Sequence, residues 1–505
     1  MKKIHKYIVY IAPILAVGML STSCVKDLDR YPTNDVTSVT VYTTEEGTMQ
    51  AFAKVYGAWS LSEGDVAGVD DGFTGFTRGF FNLQELPTDE VKCAWIDDAI
   101  KGLDDMSWDA NTGFVEGLYY RSIIQIKFAN EFLNNVGNSP VSEAQKELMS
   151  AEVRFLRAYQ YWVLMDLYGN PPFITEEDAT GKEPPQQIKR ADLFDYIESE
   201  LKAIEPLLPA KNEYARANKY AAQALLARLY LNAEVYTGAA RYKEAAHYAE
   251  QVINGGYKLA DNYRFLFNAD NHKMTDEIIL AIPFDGQKAQ SWSGATFFVA
   301  ASYNDDIAKL VPGGVGLNGK WGGNRATPTF GQLFEEGDRR RLLIYSTDHM
   351  KNLRDFTQGV HVYKYVNTNQ DGTPGSHGDF ADGDFPVFRL SEMMLIYAEA
   401  SLRDGQVDKG KGLAYFNQVR QRAGVSAKSQ ISLNDIIDER GRELYWEGHR
   451  RTDLIRFGLF TTDKYIWEWK GGLENGRAVS PNRNLYPIPS KDMLANSDNL
   501  VQNPQ

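Results

Sequence analysis

Cysteine is nearly missing from this chain: Cys24 and Cys93 are the only two in 505 residues. Two thiols cannot build a disulfide framework, and a cysteine-ligated zinc site needs more than they supply. Histidine is scarce as well, with seven residues and no pair at the spacing that sets two imidazoles on one helical face. Long runs of Lys and Arg are absent, and the formal charge is -13. That excludes the basic stripe with which proteins hold nucleic acid, so no nucleic-acid partner is expected. No nucleophile elbow, phosphate-binding glycine loop or zinc-protease motif occurs. The apolar run at the start, Tyr7 to Leu20, is too short to span a bilayer.

What that run does have is the form of a secretion signal. Lys2, Lys3 and Lys6 precede it, and Ser21-Thr22-Ser23-Cys24 follows. Small residues leading to a cysteine resemble a lipobox, although Ser21 stands where an aliphatic residue is usual. Residues 1–23 are therefore expected to be a lipoprotein signal peptide, with Cys24 the lipidated residue. Several acyl chains, at about 0.8 kcal/mol per buried CH2, hold a protein firmly to a membrane. Residues 24–43 are polar, contain Pro32 and read as a tether, and Val25 to Asp29 resembles the acidic tag of surface-exported lipoproteins. Residues 44–505 are expected to form one domain, with 43% hydrophobic residues available for a core.

That domain reads as mainly α. Leu148, Ala151, Phe155, Ala158, Trp162 and Met165 recur at alternating steps of three and four, and Leu156, Val163 and Leu167 widen the stripe. Glu147, Arg154, Arg157 and Gln160 are what this helix leaves for water. Ser142 ahead of Gln145 suggests a capping box, and Gly169 before Pro171-Pro172 a stop. Further helices are expected at 44–60, 112–135, 215–236, 241–254, 390–402, 409–423 and 433–448. Small alanines such as Ala221, Ala224, Ala245 and Ala249 let paired helices approach closely, and YKEAAHYAEQVI resembles the second helix of a tetratricopeptide repeat. By contrast Leu61 to Asp105 and Tyr257 to Phe385 are rich in Gly, Asn, Asp and aromatics and read as loops.

Two stretches carry a family resemblance. AEVRFLRAYQYWVLMDLYGNPPFIT from Ala151 and ERGRELYWEGHRRTDLIRFG from Glu439 resemble the hallmark segments of the SusD/RagB family of outer-membrane lipoproteins. FTTDKYIWEWKGG and the closing LYPIP are similar to its starch-binding branch. The resemblance implies irregular tetratricopeptide-type helix pairs backing a loop-rich ligand-binding half. It also implies capture of oligosaccharide without catalysis, and a SusC-like, TonB-dependent transporter as partner. By the same resemblance Asp70, Arg78, Trp95, Asp98 and Trp321 take glycan-binding positions, and Phe297 stands where relatives place a tyrosine. Cys93 replaces a second tryptophan, and Asp98 an asparagine.

The residue types suit the chemistry. A sugar ring offers an apolar face to a flat aromatic and polar edges to Asp, Asn or Arg. Trp95 lies in LPTDEVKCAWIDDA, and Trp321 in GLNGKWGGNR, whose glycines cannot bury an indole locally; loop packing is the plain alternative for both. Trp292 competes with Phe297 for the same role in SWSGATFFV. Glu443 and Glu447 lie one helical turn apart, as a glycosidase pair could, but Arg440, Arg442, Arg450 and Arg451 around them point to structural ion pairs. Asp270, Asn271, Thr275, Asp276 and Glu277 offer oxygens to calcium but lack the EF-hand spacing, so a solvated turn is expected and no cofactor. Cys93 reads as a packed thiol, and Trp467 and Trp469 as packing residues. A binder of some other polysaccharide, and a structural lid without a glycan site, remain the alternative readings.

Overall fold

The computed structural model describes residues 41–61, 69, 71–178 and 183–505. The signal peptide, Cys24, most of the tether and Asp70 lie outside them.

The chain enters the fold through helix α1 (Glu45–Ser60), capped by Thr44, whose hydroxyl accepts from the Gly47 amide. Helices α2 (Phe76–Glu85), α3 (Gly113–Val136) and α4 (Glu143–Tyr168) follow. The central helix α4 starts at the expected capping box, with Ser142 and Gln145 each bonding the other's backbone N–H, and stops at Gly169 with φ 74°. It packs between α3 and α5 (Arg190–Ile204) and also touches α1 and α6 (Lys219–Leu231). That enclosure corrects part of the sequence reading. Arg157 and Gln160 are buried rather than solvated, and Arg157 ties Asn130 (2.7 Å) to Glu200 (3.0 Å).

Antiparallel helix pairs continue along the chain. α6 packs on α7 (Tyr242–Ile253), and α9 (Leu390–Arg403) lies on both α7 and α10 (Lys409–Arg422). Between α7 and α9 runs the loop-rich half, which holds a short helix α8 (Ala295–Ala300). Small antiparallel ladders stitch it. β1 (Lys92–Cys93) pairs with β3 (Asn324–Arg325), β2 (Ile278–Ile282) with β6 (Phe385–Arg389), and β4 (Leu343–Tyr345) with β5 (Val360–Val362). Two expected loops contain more structure than their glycines suggest. Gly79 sits inside α2, where a Cβ would come 3.3 Å from Leu118 of α3, so this glycine serves close helix packing.

The C-terminal signature forms α11 (Leu433–Leu444) and α12 (Arg450–Arg456). α11 ends four residues before the expected Gly448, because Trp446 turns to φ 62°. Its carboxylates are buried ion-pair partners, as expected, but the partners differ from the neighbouring arginines. Glu443 meets Arg389 (3.0 Å), Arg340 (3.3 Å) and Arg422, and Glu447 meets Arg389 and Lys364, each at 2.7 Å. Burial alone would push the Glu443 carboxyl up, yet the guanidiniums of Arg422, Arg389 and Arg340 hold it far below the carboxylate range. A buried, permanently ionised carboxylate of this kind has no proton to donate to a glycosidic oxygen.

The oxygen-rich turn is likewise committed to structure. Asp270 pairs with Lys273 (3.1 Å) and accepts from the Gln370 amide, while Glu277 pairs with Arg389 (2.7 Å) and Arg422 (3.0 Å). Two of the carboxylates weighed from sequence as calcium ligands thus have protein partners of their own. Cys93 is a buried free thiol, pushed up to about 12 by that burial, and Trp467 packs inside, both as expected.

Replacing Arg389 by Met leaves Glu277, Glu443 and Glu447 short of a common counter-ion. Breaking such a buried network should cost about 3–5 kcal/mol, read as a drop in denaturant-unfolding stability. A loss under about 1 kcal/mol contradicts the assignment of Arg389 as the shared partner.

Candidate functional site

The β1–β3 ladder joins the two loops that carry the sequence-selected tryptophans. Lys92 faces Arg325 and Cys93 faces Asn324, and the pairing extends to Ala94, whose N–H donates to the Gly323 carbonyl at 2.9 Å. The next residue, Trp95, therefore lays its indole against Gly323. A Cβ there would fall 2.6 Å from the indole nitrogen, and Gly323 has φ 108°, so both space and backbone demand glycine. Arg354 clamps the same turn from outside, donating to the carbonyls of Cys93 (2.9 Å) and Trp95 (2.6 Å). Arg325 holds the other side, donating to the carbonyls of Gly323 (3.2 Å) and Leu353 (2.8 Å).

Trp321 is placed by the C-terminal end of α8. Its N–H and that of Gly322 both donate to the Ala300 carbonyl, at 2.8 and 3.1 Å, and Asn324 N–H donates to Ala301 at 2.9 Å. Free carbonyls at a helix end are thus used to fix the loop. The indole itself points outward and is 36% exposed. Trp292 stands beside it, 51% exposed, with ring centres 5.9 Å apart and planes at 38°. Phe380 braces Trp292 from behind at 4.5 Å. Two adjacent, inclined, exposed indoles make a bent apolar platform.

Beneath lies a second aromatic layer. Phe297, in α8, is only 1% exposed, packed edge-on against Phe81 (5.8 Å) and Trp95 (6.4 Å). It is therefore a floor residue, and the exposed ring of the same segment is that of Trp292. The reason is register: Phe297 and Phe298 both turn into the core from a one-turn helix buried along its whole length. Arg78, on α2, lies over Phe297 at 4.8 Å and over Trp95 at 5.6 Å, a stacked cation between floor and rim. Asp98 is exposed at the start of the short helix Asp98–Asp104, just past the half-buried Trp95.

The structure thus brings Arg78, Trp95, Phe297 and Trp321 together around α8, with Asp98 at the edge. Sequence reasoning missed Phe380, Arg354 and the pairing of Trp292 with Trp321, because each contact joins distant segments. The Gly-Gly after Trp321 was the readable signal for close approach.

The loop bearing Trp95 is tied to the C-terminal signature by a pair of buried carboxyls. Glu85, ending α2, accepts from the N–H of Gly448 (2.6 Å) and His449 (3.0 Å), and Glu90 accepts from that of Trp446 (2.9 Å). Burial pushes Glu85 up to about 7, and burial together with the Glu85 charge pushes Glu90 up too. A carboxyl raised from 4.5 to about 7 on folding stabilises fully below the lower value, and that contribution fades as pH rises through about 7. Glu85→Gln, which keeps the acceptor oxygen, should gain on wild type by about 1–3 kcal/mol between pH 5 and pH 8. Denaturant unfolding at both pH values measures it, and a pH-independent difference rules out a raised Glu85 carboxyl.

Comparison with known proteins places the whole chain. A family model described as "SusD family" matches residues 320–505, and one described as "Starch-binding associating with outer membrane" matches residues 92–231. The chain is 34% identical to the starch-binding protein SusD of Bacteroides thetaiotaomicron, over 99% of each chain. It is 26% identical to a SusD-like protein of Bacteroides ovatus, over 91% of this chain and 85% of that one. Among solved structures, surface glycan-binding protein A from Bacteroides thetaiotaomicron superposes with TM-score 0.75 at 20% identity, covering 92% of this chain and all of that one. A laminarin-binding SusD-like protein superposes with TM-score 0.70 at 23% identity, covering 92% of this chain and 100% of that one. Motifs, helix pairs and near full-length identity agree, and the chain belongs to the SusD family of glycan-binding proteins.

Proposed function

We propose that this protein is a cell-surface lipoprotein that captures an α-glucan of the starch type, without cleaving it, for import through a SusC-like TonB-dependent transporter. The observation that carries this reading is the exposed, inclined Trp292–Trp321 pair beside Trp95. Planes set at 38° follow a chain that curves, as α-linked glucans do, better than a flat ribbon. Arg78 stands against Trp95, where it can read hydroxyls, and Asp98 and Asp70 join it by resemblance. The 34% identity to a starch-binding relative supports the same ligand. Cys24 is the anchor, residues 24–43 the tether and 44–505 the capturing domain. Absence of catalysis fits Glu443 and Glu447, the carboxyls one helical turn apart in the signature, being locked among guanidiniums.

A second reading, capture of a different polysaccharide, draws on particular residues. Cys93, where the family resemblance places a second tryptophan, is buried, and Phe297 lacks the hydroxyl of the tyrosine expected there and lies under the surface. Each change removes a contact that a starch site would use. Laminarin, bound by one structural neighbour, is the first alternative ligand to try.

Native affinity electrophoresis across amylopectin, pullulan, laminarin, dextran and xylan separates the two. Retardation by amylopectin and pullulan is expected, weakened at least about tenfold by Trp321→Ala, since one stacking aromatic contributes on the order of 1.5 kcal/mol or more. Retardation by laminarin alone keeps capture and discards starch. A protein that migrates unchanged through every polymer overturns the capture reading.

A further inference from the structure

The surface does not flatten beyond the indole platform. A groove of about 660 Å³ opens beside it, walled by residues 315–320 and 374–378, with the helical turn Asp305–Ala308 at its mouth. It meets the platform at two points. Lys320, in one wall, directly precedes Trp321, and His377, in the other, lies 5.5 Å from Phe380, the ring that braces Trp292.

The walls are built rather than draped. Asn318 N–H donates to the Gly378 carbonyl at 2.7 Å, joining one wall to the other. The Asn367 amide donates to the carbonyls of Gly316 (2.9 Å) and His377 (3.2 Å), and the Ser376 hydroxyl donates to Asp382 at 2.7 Å. A groove held this way keeps its shape before any ligand arrives, which lowers the ordering cost of binding.

Its chemistry differs from that of the platform. No aromatic ring faces it except the His377 imidazole. The Nδ1 of that ring accepts from the N–H of Asp379 (3.0 Å) and Phe380 (3.3 Å), which leaves Nε2 as a donor. Each lysine has its own carboxylate: Lys309 pairs with Asp306 at 2.9 Å, and Lys320 with Asp305 at 3.7 Å. The groove therefore carries no field of a single sign and no clamp for a sulfate or uronate. Its lining mixes amide, hydroxyl, imidazole and paired lysine–carboxylate groups, which suits a neutral polyhydroxyl surface.

We propose that this groove is a hydroxyl-reading extension of the platform, holding the neutral sugar units next along the chain from those stacked on Trp321 and Trp292. A volume of this size takes about two or three pyranose rings. The inference rests on the capture reading above and adds a requirement of its own: affinity must rise with ligand length, through the groove.

Isothermal titration of the unlipidated mature chain (Cys24→Ser) with maltotriose and maltoheptaose, and with laminaritriose and laminariheptaose alongside, tests it. Two groove variants are compared with wild type: Ala308→Arg, which fills the mouth from a partly exposed helical position, and Lys320→Ala, which removes a donor. The expected result is a preference of about tenfold for the longer oligomer in wild type, mostly lost in both variants, with triose affinity and melting temperature unchanged. A preference that survives both variants, or none in wild type, overturns the groove while leaving the platform in place. Triose binding that is absent, or indifferent to Trp321→Ala, overturns the platform reading and the groove with it.

Discussion

Burial of unpaired charge is the constraint on which this structure depends. Glu439, Glu443 and Glu447 of the C-terminal signature all project into the interior, where a lone carboxylate would be prohibitively costly. Most of their counter-ions come from elsewhere in the chain, Arg340 and Arg389 from the loop-rich half and Arg420 and Arg422 from α10, while Arg442 of α11 itself adds a local bond to Glu439. Glu277, just ahead of β2, closes the circuit. The pairs made by Arg340 and Arg389 form only when the helical and loop-rich halves are docked in register. Hydrophobic contact would tolerate sliding; a network of directional ion pairs does not.

From that junction the order propagates to the candidate site through a short series of contacts. Arg450 of α12 grips Asp89 with two bonds, at 2.7 and 2.8 Å, and the Trp446 indole donates to the Glu90 carbonyl at 2.9 Å. Asp89 in turn accepts from the N–H and hydroxyl of Thr327 through its carbonyl. These anchors lie just before β1 and just after β3, the ladder that sets Trp95 against Gly323 and presents Trp321. The family's hallmark segment thus stays away from the proposed ligand surface. It holds the ends of the loops that do, which explains why a scaffold motif accompanies a binding function.

Much of this was legible in the sequence. The stripe of α4, its capping box and the helix pairs follow from spacing and local chemistry alone, whereas Trp95 and Trp321 were singled out with the help of the family resemblance. What was hidden depends on distant residues. Arg440 and Arg442 looked like partners for Glu443 because they are its neighbours, whereas the arginines it meets, Arg340, Arg389 and Arg422, are remote in sequence. Arg157 reads as solvent-facing on a helical wheel, yet a helix surrounded by others has no solvent face. Phe297 and Trp292 share one short segment, and no periodicity in a one-turn helix says which ring points outward. Gly79 read as loop because a missing side chain looks the same whether it frees a turn or admits a neighbouring helix.

The central claim is that a preformed platform of Trp292, Trp321 and Trp95, seated on Phe297 and Arg78, receives the glycan. A crystal structure of the protein with maltoheptaose bound tests it most directly. The account requires sugar rings lying on Trp321 and Trp292, Phe297 untouched below, and the Ala94–Gly323 and Trp321–Ala300 backbone bonds intact. Sugar density on another face of the molecule, or a 318–325 segment rebuilt around the ligand, would contradict it.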